Sequence, residues 1–310
     1  MDGQRERCSS ALWFWQPCCI IVFEKEQDHL RNALSVDVED WFQVGAFETV
    51  ISRGDWDALE CRVERNSDAV LALFDDAGIK GTFFTLGWVA ERYPALMRRI
   101  VDAGHEIASH GYAHDRVFTF TPEQFSADIE RTRKLIEDTS GAMVTGYRAP
   151  SFSIDQRTPW AHEILAEQGY TYSSSVAPVK HDHYGWAEAP RFAFKPVAGS
   201  DFLEIPVTTA MLGSKRLAAG GGGFFRLLPY AFSRWAIRQV NAAEARPAVI
   251  YFHPWEIDPD QPRVANAPIK SKLRHYSKLG AMAGKLRRLA GEFEWDRLDA
   301  VVAREQAKFA

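Results

Sequence analysis

The stretch NALSVDVEDWFQV, residues 32–44, ends an apolar, strand-like run on three carboxylates, Asp37, Glu39 and Asp40. Burying even one unpaired charge is costly, so this segment calls for partners elsewhere in the chain. SHGYAH offers two, because His110 and His114 stand four residues apart and can face one point on a helical turn or compact loop. With a carboxylate they make the two-histidine, one-carboxylate set that holds zinc or a similar divalent ion and leaves a position open for water. In YRAP, Arg148 precedes a turn from which its guanidinium can reach the carboxylates and hold one of them ionised and oriented. His253 follows the apolar run AVIYF and stands beside PWE, and histidine's pKa suits general acid work. Taken singly, each has a plainer explanation: capping histidines, a salt-bridged arginine, a hydrogen-bonded core histidine.

The elements around these residues make them a constellation. From Asn32 onward, β-like runs alternate with helical patterns, which predicts an α/β fold with a mainly parallel sheet. NALSVDV, KGTFFTL, HEIASH, AMVTGYRAP, LEIPV and PAVIYFHPW read as strands. A helix is predicted over 67–77, with Ser67 or Asp68 as its cap and Gly78 as its end, and another over 88–103, closed by Gly104. At TPEQ, Thr121 and Gln124 form a capping box, with Phe125, Ile129 and Ile136 on one face of the helix that follows. Further helices are predicted near 158–168 and 229–243. Asp37, Glu39, His110, His114, Arg148 and His253 all fall at or just past the C-terminal ends of strands, the edge where open α/β sheets and barrels carry their sites.

Residues 176–228 and 254–276 interrupt the alternation and read as functional loops or lids. GGGG at 220–223 lacks both GxGxxG spacing after a strand and the GK[ST] of a phosphate loop, so nucleotide binding is disfavoured; it predicts a mobile loop or a close backbone approach. Trp41, Trp186, Phe224, Phe225, Tyr230 and Trp255 are core residues by default, although rings in loops near the site can stack on sugar faces.

The 310 residues are 46% apolar, with 20 Phe and 10 Trp, the composition of a folded protein rather than a disordered one. A net charge of −4 offers no basic field for nucleic acid. Cys8, Cys18, Cys19 and Cys61 form no CxxC pair and read as free thiols of a reducing compartment. The first thirty residues have arginines and then an apolar patch, interrupted by Gln16 and Pro17 and shorter than the roughly 20 residues that span a bilayer. They read as an N-terminal extension, 1–30, outside the core, with a membrane-surface anchor as the lesser alternative. The expected location is cytoplasmic.

The combination of SVDVED, SHGYAH, YRAP and YFHPW resembles the polysaccharide deacetylases, the NodB-homology group of carbohydrate esterase family four. SVDVEDWFQV, YSSSVAPVKHDHYG, GGGFFRLLPY and YFHPWEIDPDQPR resemble in particular the branch found with exosortase and exopolysaccharide gene clusters. The resemblance implies a single domain over 31–310, a distorted (β/α) barrel of about seven strands, with a family-specific region at about 176–310. It further implies metal-assisted hydrolysis of N-acetyl groups on an amino-sugar polymer, with zinc the expected metal. An N-acetylated polysaccharide is then the expected partner, beside membrane polysaccharide synthesis machinery. By the same resemblance Asp37 corresponds to the catalytic base, His110 and His114 to metal ligands, His253 to the general acid and Arg148 to the arginine that orients the base. A backbone N–H, that of Ser151, is the expected oxyanion donor, and Trp255 an expected substrate contact. Two departures stand out. Val38 occupies the place of the family's metal-binding aspartate, which leaves Glu39 or Asp40 as the ligand: strand alternation favours Glu39, and a turn beginning there would present Asp40. The second is YSSS, Tyr172 to Ser175, which lacks the aspartate that elsewhere sets the charge of the acid histidine. Alternatives from the same residues are a related amide hydrolase, acting on peptidoglycan sugars or a cyclic imide, and a catalytically silent carbohydrate-binding barrel.

Overall fold

Seven short runs, each buried along its whole length, lie side by side as parallel strands, the environment in which both faces of a strand are covered. In the computed structural model, residues 30–180 and 185–309 are described; the extension up to residue 29, with Cys8, Cys18 and Cys19, lies outside them. The strands are β1 (Asn32–Val38), β2 (Thr82–Thr85), β3 (Glu106–Ser109), β4 (Gly146–Tyr147), β5 (Tyr172–Ser173) and β6 (Leu203–Glu204), followed by an antiparallel hairpin of β7 (Thr209–Leu212) and β8 (Lys215–Ala218), then β9 (Val249–Phe252) and β10 (Trp295–Asp296). Around the sheet the order is β9-β1-β2-β3-β4-β5-β6, all parallel, with β10 pairing the start of β1. Beyond β6 the chain reaches back to β9: Thr208 N donates to Val249 O at 3.1 Å and Tyr251 N to Gly220 O at 2.8 Å. The sheet is therefore a curled, barrel-like one, as the resemblance implies.

Strand alternation divides the core. Leu34, Val36 and Val38 point out to a large apolar layer shared with the helices, whereas Ala33, Ser35 and Asp37 point inward with Phe84, Ala108 and Tyr172. Packed on this scaffold are α1 (Val63–Asp76), α2 (Gly87–Arg92), α3 (Pro94–Asp102), α4 (Pro122–Ser140), α5 (Ala161–Glu167), α6 (Gly222–Leu227), α7 (Tyr230–Arg238), α8 (Ile269–Tyr276), α9 (Leu279–Glu292) and α10 (Leu298–Gln306). The last packs Leu298, Val301 and Val302 onto the interior cluster.

Several expectations need correction. The first helix begins at Val63, ahead of Ser67 and Asp68, because its leading amides are capped from a distance by Asp40. The helix expected over 88–103 is two helices that meet at Tyr93, since Pro94 has no N–H to continue the first. AMVTGYRAP and LEIPV pair over two residues each. Neither long segment is irregular throughout: 176–228 holds β6, the hairpin and α6, and 254–276 holds α8. The capping box at Thr121 and Gln124 is present in both directions, at 3.3 and 2.9 Å. Of the two expectations for GGGG, the close backbone approach is the one observed: a Cβ on Gly220 would lie 2.7 Å from Val249 O.

His105 pins β3 to β2 by accepting the Gly81 N–H on Nδ1 at 3.1 Å, between Phe74 and Phe83. Burial first, then Lys80, lowers its pKa to about 4. Between that value and the ordinary one near 6.5 the unfolded chain binds the extra proton, so stability is lost as pH falls through this window. The expected outcome is a wild type that loses on the order of 1–3 kcal/mol from pH 6.5 to 4 through this group, and a His105→Gln variant with a visibly shallower slope in urea melts across the same range.

Candidate metal and active site

Glu39 continues the inward series of β1, and Asp40 turns away from it. Asp40 Oδ2 accepts the amides of Arg62 and Val63 at 2.6 and 2.9 Å, and Oδ1 accepts that of Trp41 at 2.8 Å. Burial pushes this carboxyl up to about 6 against the pull of those three donors. Its work is to anchor α1.

Glu39 is placed with the histidines instead. Ligand atoms of Glu39, His110 and His114 lie within 4.8 Å of one another. His110 Nδ1 is 2.8 Å from the carbonyl oxygen of Arg148. A carbonyl can only accept, so Nδ1 carries the hydrogen and Nε2 presents its lone pair. Burial lowers His110 to about 4, which keeps it neutral, the form that binds a cation. His114 takes an uncommon left-handed backbone, φ 56°, that brings Nε2 to 2.9 Å from Glu39 Oε2. That contact lies off the hydrogen-bond axis: Oε2 is buried and accepts no hydrogen bond. Two imidazoles and an orphaned carboxylate oxygen, all converging, are the donor set of a divalent cation such as zinc. Burial raises the Glu39 carboxyl, but its neighbours His114 and then His253 outweigh that and hold it at about 2.

Asp37 stands beside this cluster without joining it. Its Oδ1 accepts from Arg148 Nη1 at 2.6 Å. Arg148 has no exposed surface; Nη1 also reaches Ser35 Oγ at 2.8 Å, Nε and Nη2 reach Ser174 O and Oγ at 3.0 Å, and Phe84 lies under the guanidinium. With all three of its nitrogens engaged, the guanidinium holds Asp37 in one orientation.

His253, at the end of β9, faces the cluster from the other side, with Nε2 3.4 Å from Glu39 Oε1. Its Nδ1 lies 3.3 Å from Glu256 Oε2, and Glu256 Oε1 is 3.1 Å from Arg226 Nε. Burial pushes His253 down, but Glu39 and then Glu256 outweigh it and raise it to about 9. Glu39, Asp37, both cluster histidines, His253 and Ser151 line one cavity of 380 Å³, with Lys270 and Arg274 of α8 on its wall. Ser151 sits there with φ 56°, held in a conformation that costs free energy unless its surroundings impose it.

Trp255 lines the same cavity. Its indole is largely buried, stacked with His253 at 5.1 Å and with His275 at 4.1 Å, and its Nε1 donates to Glu39 Oε1 at 3.3 Å. These contacts let the ring orient Glu39 and His253. The residues that sequence reasoning did not single out are Ser35, Ser174, Arg226 and Glu256. The signal for Glu256 was available, since HPWE places it three residues after His253 like the last member of a capping box.

Residues 55–173 match the family model described as polysaccharide deacetylase, and residues 174–303 match a domain of unknown function, DUF3473. The chain is 34% identical over 107 residues to a peptidoglycan deacetylase of Helicobacter pylori, covering 34% of this chain and 36% of that protein. It is 30% identical over 117 residues to chitin deacetylase 1 of Cryptococcus neoformans, covering 36% of this chain and 24% of that one. The chain thus spans about a third or less of the length of these relatives. Among solved structures, a candidate polysaccharide deacetylase from Mycobacterium smegmatis shares the fold at a TM-score of 0.59, with 19% identity over 91% of this chain and 93% of the other. The Puue allantoinase shares it at 0.59, with 15% identity over 95% and 98%.

The two neighbouring carboxylates separate cleanly by experiment. Asp40→Ala strands three buried amides and should lower stability by roughly 2–4 kcal/mol, read by denaturant melts. Glu39→Gln should instead weaken zinc binding at least about tenfold, read by titration calorimetry, with the melt little changed.

Proposed function

We propose that this chain, whose residues 55–173 match the polysaccharide deacetylase family model, is a metal-dependent deacetylase that removes N-acetyl groups from amino sugars of an exopolysaccharide or its precursor. The observation that carries this reading is the juxtaposition, in one cavity, of an arginine-held carboxylate, Asp37, with the Glu39, His110, His114 cluster. Glu39, His110 and His114 would hold a divalent cation, which would supply Lewis acidity toward the acetyl carbonyl and a water of lowered pKa. Asp37 takes a proton from the attacking water, and the oxygen adds to the acetyl carbon. His253 Nε2 gives a proton to the amide nitrogen as the C–N bond breaks, so that acetate and a free amine leave. The backbone N–H of Ser151 donates to the oxyanion in this scheme.

Support for catalysis over a silent binding barrel comes from the buried, multiply hydrogen-bonded Arg148 that holds Asp37 by Oδ1, an arrangement that orients a base and that sugar binding alone does not need. Peptidoglycan is the alternative polymer, on the strength of the substrate in the Helicobacter relative's name. Among the described residues no helix is long and apolar enough to cross a membrane.

Acetate release from a panel of N-acetylated glycans, peptidoglycan fragments included, tests the reading. Asp37→Asn should keep its zinc while kcat drops by roughly 10²–10⁴-fold. His110→Ala should lose both zinc and activity. Full activity in either variant would sink the site assignment, and a wild type that binds zinc but releases no acetate would favour the binding barrel.

A further inference from the structure

We propose that Glu256 is the positioning residue of His253, locked by Arg226 and given room by the absent side chain of Gly222, so that the segment of unknown function supplies the acid half of the site. This rests on the deacetylase reading of His253. The observations are steric and geometric. Glu256 and Arg226 are buried, at 0% and 1% exposure. One carboxylate oxygen of Glu256 meets both the backbone N and Nδ1 of His253, at 3.2 and 3.3 Å, and the other meets Arg226 Nε. Arg226 in turn is tied down by the carbonyls of Arg274 and Ser277, on and just after α8. Neither partner can swing away without stranding a buried charge.

Gly222 completes the device. A Cβ there would lie 2.0 Å from Glu256 Oε2 and 2.9 Å from Phe252 Cα, closer than any real contact. The glycine is needed for space and not for torsion, since its φ is not positive. Gly222 is thereby the member of GGGG over which the carboxylate sits. A carboxylate facing Nδ1 accepts its hydrogen, fixes the ring's orientation and leaves Nε2 as the nitrogen that faces the cavity. YSSS has no aspartate for this task, and its Ser174 and Ser175 are engaged with Arg148 and with the amide of Ala149.

The test uses the zinc-loaded enzyme and three variants: Glu256→Gln, which keeps size and burial, Gly222→Ala, which crowds the carboxylate, and His253→Ala. On an N-acetylglucosamine oligomer, Glu256→Gln and Gly222→Ala should lower kcat by roughly 10–100-fold with KM and zinc content unchanged. On p-nitrophenyl acetate, whose leaving group needs no proton, the loss should be at least about tenfold smaller. Glu256→Gln combined with His253→Ala should be no slower than His253→Ala alone. Equal losses on both substrates, or additive ones in the double variant, overturn the proposal. A readout free of activity comes from long-range proton–nitrogen spectra of the imidazoles in the metal-free protein. His253 signals that move in Glu256→Gln support the proposal, and unmoved signals overturn it. A wild type that releases no acetate while those signals move would sink the deacetylase reading and leave the positioning standing.

Discussion

One guanidinium, that of Arg148, sets the interior of this barrel. Through Ser35 and Asp37 it holds β1, through Ser174 it holds the chain after β5, and its own backbone N–H and C=O engage Ser109 and His110 at the end of β3. A buried arginine of this kind costs desolvation free energy that only complete hydrogen bonding offsets. Every strand that meets it is therefore constrained in register, and the constraint passes directly to the tautomer of His110.

The same logic accounts for the acidic end of β1. Asp37 is paired with a cation, Asp40 receives three amides, and Glu39 faces imidazoles. Three carboxylates in four positions are tolerable because each points in a different direction, as a strand breaking into a turn requires. The division of the chain between two family models does not follow this site. His110, His114 and Arg148 lie in the first matched segment, His253, Glu256 and Arg226 in the second, while Asp37 and Glu39 precede both. The two matched segments share one barrel and one cavity.

What could be read from the amino acids alone was local. The strands NALSVDV and VIYF announce themselves by length and β-branched content, and polar residues at their ends announce a site. Strand alternation favoured Glu39 over Asp40, but what Asp40 does instead was not legible, since it acts on amides 22 and 23 residues away. Nor was the stacking of Trp255 on His275, which lies 20 residues further along the chain. AMVTGYRAP overstates its strand for a related reason: only Gly146 and Tyr147 are regular strand, flanked by backbone bonds at Thr145 and Arg148 before the chain turns at Pro150 to Phe152.

The pairing of β1 with β10 has an architectural consequence. Asn32 donates to Glu294 O and stands opposite Trp295, so the chain enters the sheet and makes its last strand contact at one rim, while the cavity that holds Asp37 and Glu39 opens at the other. The length of β1 thus separates the point where the described chain enters the sheet from the acidic residues at the cavity mouth.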